Sequence, residues 1–391
     1  MTSQVAVANH SGIAVASDTV TTTFYDGGAK TVGNKKKIME IGKEHRVLVL
    51  TSGSVVQNGV TLTLLINEWS STLGKPLSTL EDYVDSFIAW MSKERNIHTV
   101  QSEYNRARSL LNDHFTEVKK RSESHWYQIP VEEEHLTSRE EILLTFATEG
   151  LEYLKGLPFN PGIINDNEFL GVINHEEIDL GEMLEYFFQD IGLDDINRAK
   201  LIESAPLVLS RAQEFPGSST FAFVGFGSQE YFAGNIRLRS KGFYGGKFIH
   251  DRGTRFSVNP ENGATISAFA QDDAIFGFIR GIRHEVLTHA WEQIDAKINE
   301  YFEVSENEDL GQKIADEVCE SIRNYCFNRM TSPLLDSIEG LDLGHLANLA
   351  ESLVGMEATS AFGAEGPATV GGFIEVATID RQFGVRWVKA L

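Results

Sequence analysis

The sequence predicts an α+β fold built on layered sheets, and three observations carry that reading. Strand-like segments open the chain, recur in its second half and close it, with long helix-like zones between them. No regular strand–helix–strand alternation runs through it, which argues against a doubly wound parallel sheet. The 391 residues are 42% hydrophobic and 10% aromatic, enough to bury a sizeable core. We read a single domain, residues 1–391, with a helical insertion at 100–217 inside it.

Gln4–Asn9 alternates polar and apolar residues at a strand's period, His10-Ser11-Gly12 reads as a turn, and Ile13–Ser17 as the returning strand. A glycine-rich loop follows. Lys37–Ile41 and Arg46–Thr51 are the next strands, the second stopped by Ser52-Gly53. Val55–Thr72 is apolar at helical spacing, and Thr79–Lys120 continues with good helix formers and few breakers. Ser138–Ala212 stays helix-like apart from 156–162 and the region of Gly192; this block is acidic and lacks strand patterning. Strands resume at Ser219–Gly225, Tyr231–Arg239 and Ala264–Ala270. Helices are expected at Asp273–Tyr301, Leu310–Asn328 and Leu346–Glu357. The last hairpin is Gly372–Ile379 and Val385–Val388, turning near Gln382–Gly384.

A net charge of −22 and a pI near 4.9 argue against nucleic acid or an acidic membrane as partner, because both would repel the chain. The start has no basic segment, long apolar run or cleavage site, so no signal peptide is read there, and no apolar run reaches the roughly 18 residues of a membrane span. The expectation is a cytoplasmic protein. Cys319 and Cys326 stand seven residues apart, two turns along one helix, too far for a disulfide, and are read as reduced thiols.

Several motifs fall short. His284 and His289 are five apart, not the four that would place both rings on one helix face as zinc ligands. Gly225-Phe226-Gly227-Ser228 lacks the closing glycine of a nucleophile elbow. No phosphate-binding glycine pattern occurs in a strand–loop–helix context, and Trp69 and Trp90 read as core. No cofactor and no metal is implied.

One constellation carries chemistry. Removal of Met1 makes Thr2 the amino terminus; Asp18 ends the second strand and Lys37 begins the third. A terminal threonine combines a hydroxyl nucleophile with an α-amine of pKa about 8, which can take the hydroxyl proton near neutrality. A nearby lysine cation favours the amine's basic form, and a carboxylate beside the lysine holds it in place. Taken singly, the three are a frayed terminus, a turn hydrogen-bonder and, with Lys35 and Lys36, a solvated edge.

Together they resemble the proteasome β subunits and the bacterial two-ring proteasome-like peptidase. Those chains have a terminal Thr, an Asp sixteen residues on, a Lys–hydrophobic pair and a strand ending in glycine. Here these are Thr2, Asp18, Lys37-Ile38 and Ser52-Gly53. The Val370-Gly371-Gly372 turn resembles the glycine turn before that family's penultimate strand. Over nearly its full length, the chain also resembles an uncharacterised bacterial proteasome-like group, through its start, Phe269-Ala270-Gln271-Asp272-Asp273 and the last hairpin. The serines and acid that support the terminal amine in proteasome subunits are missing; Gln271 and Asp272 stand at one position and Pro367-Ala368-Thr369 at the other, with Asp272 or Thr369 as substitutes.

The resemblance implies a four-layer αββα sandwich of the N-terminal nucleophile (Ntn) hydrolase type, carrying the large helical insertion. It implies a threonine-type amide-bond hydrolase, a peptidase first: Thr2 attacks, Lys37 and Asp18 tune its amine, and the N–H of Gly53 stabilises the oxyanion. It also implies a homo-oligomer. A small-molecule amidase or acylase and a non-catalytic scaffold are the alternatives.

Overall fold

The computed structural model describes residues 2–25, 28–93, 97–129, 138–213, 217–301, 310–363 and 370–391. The chain starts with a hairpin, β1 (Ser3–Asn9) and β2 (Gly12–Asp18). A second hairpin, β3 (Val20–Tyr25) and β4 (Gly28–Asn34), occupies most of the expected glycine-rich loop, a correction. β5 (Ile38–Glu40) and β6 (Arg46–Gly53) follow. Val55–Thr61, expected to be helical, instead holds the small hairpin β7 (Val56–Gln57) and β8 (Val60–Thr61). Thr61 then caps α1 (Leu62–Ser71) through its side chain, which accepts from the Leu64 N–H.

The helical run divides into α2 (Leu80–Lys93), α3 (Val100–Trp126), α4 (Arg139–Gly156), α5 (Leu170–Ile173), α6 (Leu180–Phe188) and α7 (Asp195–Ser210). Ser138 and Glu141 start α4 as a reciprocal capping box. β9 (Ser219–Phe226) and β10 (Gly234–Tyr244) turn through Gly245 and Gly246 into β11 (Lys247–Arg252), longer than the sequence pattern suggested. Both turn glycines have positive φ, 60° and 71°, the geometry a two-residue hairpin of primed type requires. β12 (Phe256–Ser257) and β13 (Ala264–Ala270) follow. The expected helix over 273–301 is broken at Gly281 (φ 71°) into α8 (Asp273–Arg280) and α9 (His284–Tyr301). Then come α10 (Leu310–Cys326), a π-helical turn (Phe327–Thr331), α11 (Ser332–Glu339), α12 (Leu343–Gly363), β14 (Ile374–Asp380) and β15 (Gly384–Lys389).

Two antiparallel sheets result, in strand orders β13-β1-β2-β14-β15 and β11-β10-β9-β6-β5, with β12 on β10. Their facing sides share one core: Ala6, Ala8, Ile13, Val15, Ala377 and Ile379 meet Leu48, Leu50, Ala222 and Val224. The alternate residues point away. Val5, Val7, Ala14, Ala16 and Val376 pack against α8 and α12, and Val47, Val49, Phe221 and Phe223 against α1 and α2. Strands covered on both faces read as nearly continuous apolar runs. Each fully buried side chain of valine or leucine size contributes about 1.5–3 kcal/mol. The buried Trp69 keeps its Nε1–H satisfied by Ser86 Oγ at 3.2 Å.

Helices α3 to α7 close a core of their own around Leu111, Phe115, Leu143 and Phe188, which meets the second sheet at Tyr244 and Ile249. The Tyr244 hydroxyl donates to the Leu209 carbonyl across that junction at 2.9 Å. No helix among the described residues is long and apolar enough to cross a membrane.

Candidate active site

The inward-facing rows of three neighbouring strands change character at one end. Reading outward from the core, Ala8 and Ala6 lead to Gln4, Ile13 and Val15 to Ser17, and Ile379 and Ala377 to Glu375. Gln4 pairs with Ser17 and Ser17 with Glu375 in the sheet register, so the three polar residues form one cross-strand layer. All are buried, at 1% exposure or less. Gln4 Nε2 donates to Ser17 Oγ at 3.2 Å and across the gap to the Thr51 carbonyl at 2.9 Å, tying the two sheets together where the apolar core stops.

Asp18, the next residue of β2, organises this end. Its Oδ1 accepts the Ser3 N–H and the Lys37 ammonium, both at 2.9 Å, and its Oδ2 accepts the Gly371 N–H at 3.3 Å. One carboxylate thus fixes the start of β1, the approach to β5 and the glycine turn before β14. Lys37 Nζ also donates to the Val20 carbonyl at 2.6 Å. Lys35 and Lys36 are exposed, as a solvated edge should be, whereas Lys37 is buried. Burial pushes the Asp18 carboxyl up and the Lys37 ammonium down from their usual ranges, while their mutual attraction works against both shifts.

Thr2 is 7% exposed, and its carbonyl accepts the Gln271 N–H at 2.9 Å, which anchors the chain start beside the end of β13. Thr2, Lys37, Ser52 and Gly53 line one cavity of about 210 Å³, rimmed by Lys35 and Lys36. Gly53 has φ of 79°, and a Cβ there would stand 2.2 Å from the Ser218 carbonyl oxygen, so this wall is open to glycine alone. The structure therefore brings Thr2, Lys37 and Gly53 to one cavity, with Asp18 bound behind Lys37.

The sequence reading missed Glu375. Its Oε2 accepts the Lys37 main-chain N–H at 3.1 Å, and its Oε1 has no hydrogen-bond partner among the described residues. The signal was available: a lone acid in Phe373-Ile374-Glu375-Val376-Ala377, at the core-facing phase of a strand. Of the two substitutes for the amine's supporting shell, Thr369 lies outside the described residues. Asp272 is half-buried at the N-terminus of α8; burial first, then Asp273 and Glu357, push its carboxyl up to about 6 against the pull of Arg237 and Arg280.

Among the described residues no group of three or more histidine, cysteine or acidic side chains could hold a metal, and His284 and His289 are both exposed on α9. Cys319 and Cys326 are free thiols, the first buried. Comparison with protein-family models, curated proteins and solved structures finds no significant match. The candidate site is defined by its geometry: a hydroxyl on the second residue, a paired ammonium and a glycine main chain around one small cavity.

Proposed function

We propose that this chain is a threonine-type amide-bond hydrolase, a peptidase first, built on the four-layer αββα sandwich of the Ntn hydrolases. Loss of Met1 frees the Thr2 amine, which takes the proton of the Thr2 hydroxyl as Oγ1 attacks the substrate carbonyl. The oxyanion forms against the Gly53 N–H. The protonated amine then gives its proton to the leaving nitrogen as the C–N bond breaks, leaving an ester on Oγ1. Water attacks that ester, the amine accepts its proton, and the proton returns to Oγ1 as the acid departs. Lys37 keeps the amine basic, Asp18 holds Lys37, and Glu375 fixes the Lys37 main chain as a positioning residue. The helical insertion at 100–217 and a homo-oligomeric assembly belong to the same proposal.

The observation that carries it is the buried Lys37–Asp18 pair, at 2.9 Å, beside the second residue and a glycine-walled cavity. A buried ion pair is often no more stabilising than well-packed apolar residues of the same volume, so stability alone is a weak reason for it. Hydrolysis of peptide and acyl-amide panels by the processed chain tests the proposal, with Thr2→Ala inactive and Thr2→Ser partly active. Cleavage of acyl amides but not peptides would support the amidase alternative. Cleavage of neither by processed protein would leave the scaffold reading.

A further inference from the structure

A second, larger cavity lies elsewhere and shares no lining residue with the one at Thr2. It encloses about 620 Å³, within the range of small-molecule sites. Its floor is the edge strand β13, at Thr265 and Ile266, and its inner wall is Ile279, Leu287 and Leu335. Arg280, Arg283 and Arg323 stand at its exposed rim.

Local backbone features shape it. Gly281 breaks the helix between Arg280 and Arg283 with φ of 71°, so that both arginines turn to the same opening. Gly277 leaves room for the Arg283 stem; a Cβ there would meet Arg283 Cγ at 3.0 Å. The π-helical turn brings Phe327 and Thr331 to the wall, and the Thr331 hydroxyl donates to the Ile279 carbonyl at 3.1 Å, closing α8 onto this turn. Such single π turns occur frequently at functional sites.

The charge at the mouth is contrary to the rest of the molecule. In a chain of net charge −22, three guanidinium groups surround one apolar opening. Arg323 is met by Glu320 at 3.2 Å, and Arg280 lies over the Phe276 ring at 4.3 Å. Arg280 attracts Asp272 and Arg283 attracts Glu357 only at longer range, and neither arginine makes an ion pair within 4.0 Å among the described residues. We infer that this cavity binds an amphipathic anion, an acyl chain ending in a carboxylate. The chain lies on Ile266, Ile279, Leu287 and Leu335, where burying each methylene contributes about 0.8 kcal/mol. The carboxylate meets Arg280 and Arg283, whose planar donors suit it.

Dodecanoate is the probe, with titration calorimetry and alkylation of Cys326, which lines the cavity, as independent readouts. Dodecanoate is expected to bind and to protect Cys326, with dodecanol and butanoate each about tenfold weaker or more. Joint replacement Arg280→Gln and Arg283→Gln, both on the exposed rim, should weaken dodecanoate about tenfold and leave dodecanol unchanged. Leu335→Trp, which fills the interior, should weaken both. The inference is overturned if dodecanoate neither binds nor protects Cys326. It is equally overturned if dodecanol matches dodecanoate and the arginine replacements change nothing.

Discussion

Lys37 Nζ lies 2.9 Å from Asp18 Oδ1, with the two side chains only 7% and 0% exposed. Removing one member strands the other as an uncompensated buried charge, which typically costs about 3–5 kcal/mol. Lys37→Met and Asp18→Asn should each lower stability on that scale in urea unfolding. The double variant should be far more stable than the sum of the two losses predicts, because no charge is left behind. Hydrolysis should be absent in Lys37→Met and in the double variant alike. Additive stability losses would mean that the pair is not coupled as its geometry requires.

Gly53→Ala tests the cavity wall. The substitution combines a left-handed backbone at φ 79° with a methyl 2.2 Å from the Ser218 carbonyl oxygen. A loss of about 2 kcal/mol or more is expected, read as a lower thermal midpoint. Displacement of this wall should also cut turnover more than it weakens substrate binding, the pattern for a group that acts in the transition state. An alanine variant with unchanged midpoint and turnover would remove Gly53 from the site.

His114 gives the helical block a pH dependence. Its Nε2–H donates to Ser204 Oγ at 3.1 Å, since the Ser204 hydroxyl itself donates to the Leu201 carbonyl at 2.8 Å. Burial pushes the imidazole from 6.5 down to about 4. Unfolded chains take up this proton below pH 6.5, folded ones only near pH 4, so stability present above 6.5 is lost as the pH falls between those values. His114→Gln keeps a donor for Ser204 and cannot titrate. Its stability relative to the parent should rise by about 2 kcal/mol or slightly more between pH 7 and pH 4.5 in urea titrations. A constant difference across that range would contradict the assignment.

The pattern of residues made some parts of this molecule legible and hid others. The opening hairpin, β6, β9, β13 and the last hairpin were readable because each is apolar with a period of two or as a short buried run. The β3–β4 hairpin was hidden by the glycines around its turn, which read as a loop although Val20–Tyr25 consists of strand formers. The break at Gly281 was missed because one glycine inside a helical pattern is usually tolerated; here a left-handed conformation and the arginine-lined turn decide it. Val55–Thr61 misled for the opposite reason: seven residues are too few to separate a small hairpin from a helix start. At the candidate site, spacing and resemblance point to Thr2, Asp18, Lys37 and Gly53, of which Thr2, Lys37 and Gly53 line one cavity. Glu375 carried a local signal as a lone core-facing acid, but its contact to Lys37 and that of Gly371 to Asp18 span more than 300 residues, which no local pattern reports.

The central claim is that the Thr2 hydroxyl and amine act together. A peptide epoxyketone reacts with that pair by closing a ring onto both groups, so intact mass and peptide mapping of inhibitor-treated protein test it most directly. Protein that has lost Met1 should gain one inhibitor mass on Thr2, and Thr2→Ala should gain none. Processed protein that forms no adduct and cleaves no peptide or acyl amide would contradict the account, as would hydrolysis that survives Thr2→Ala.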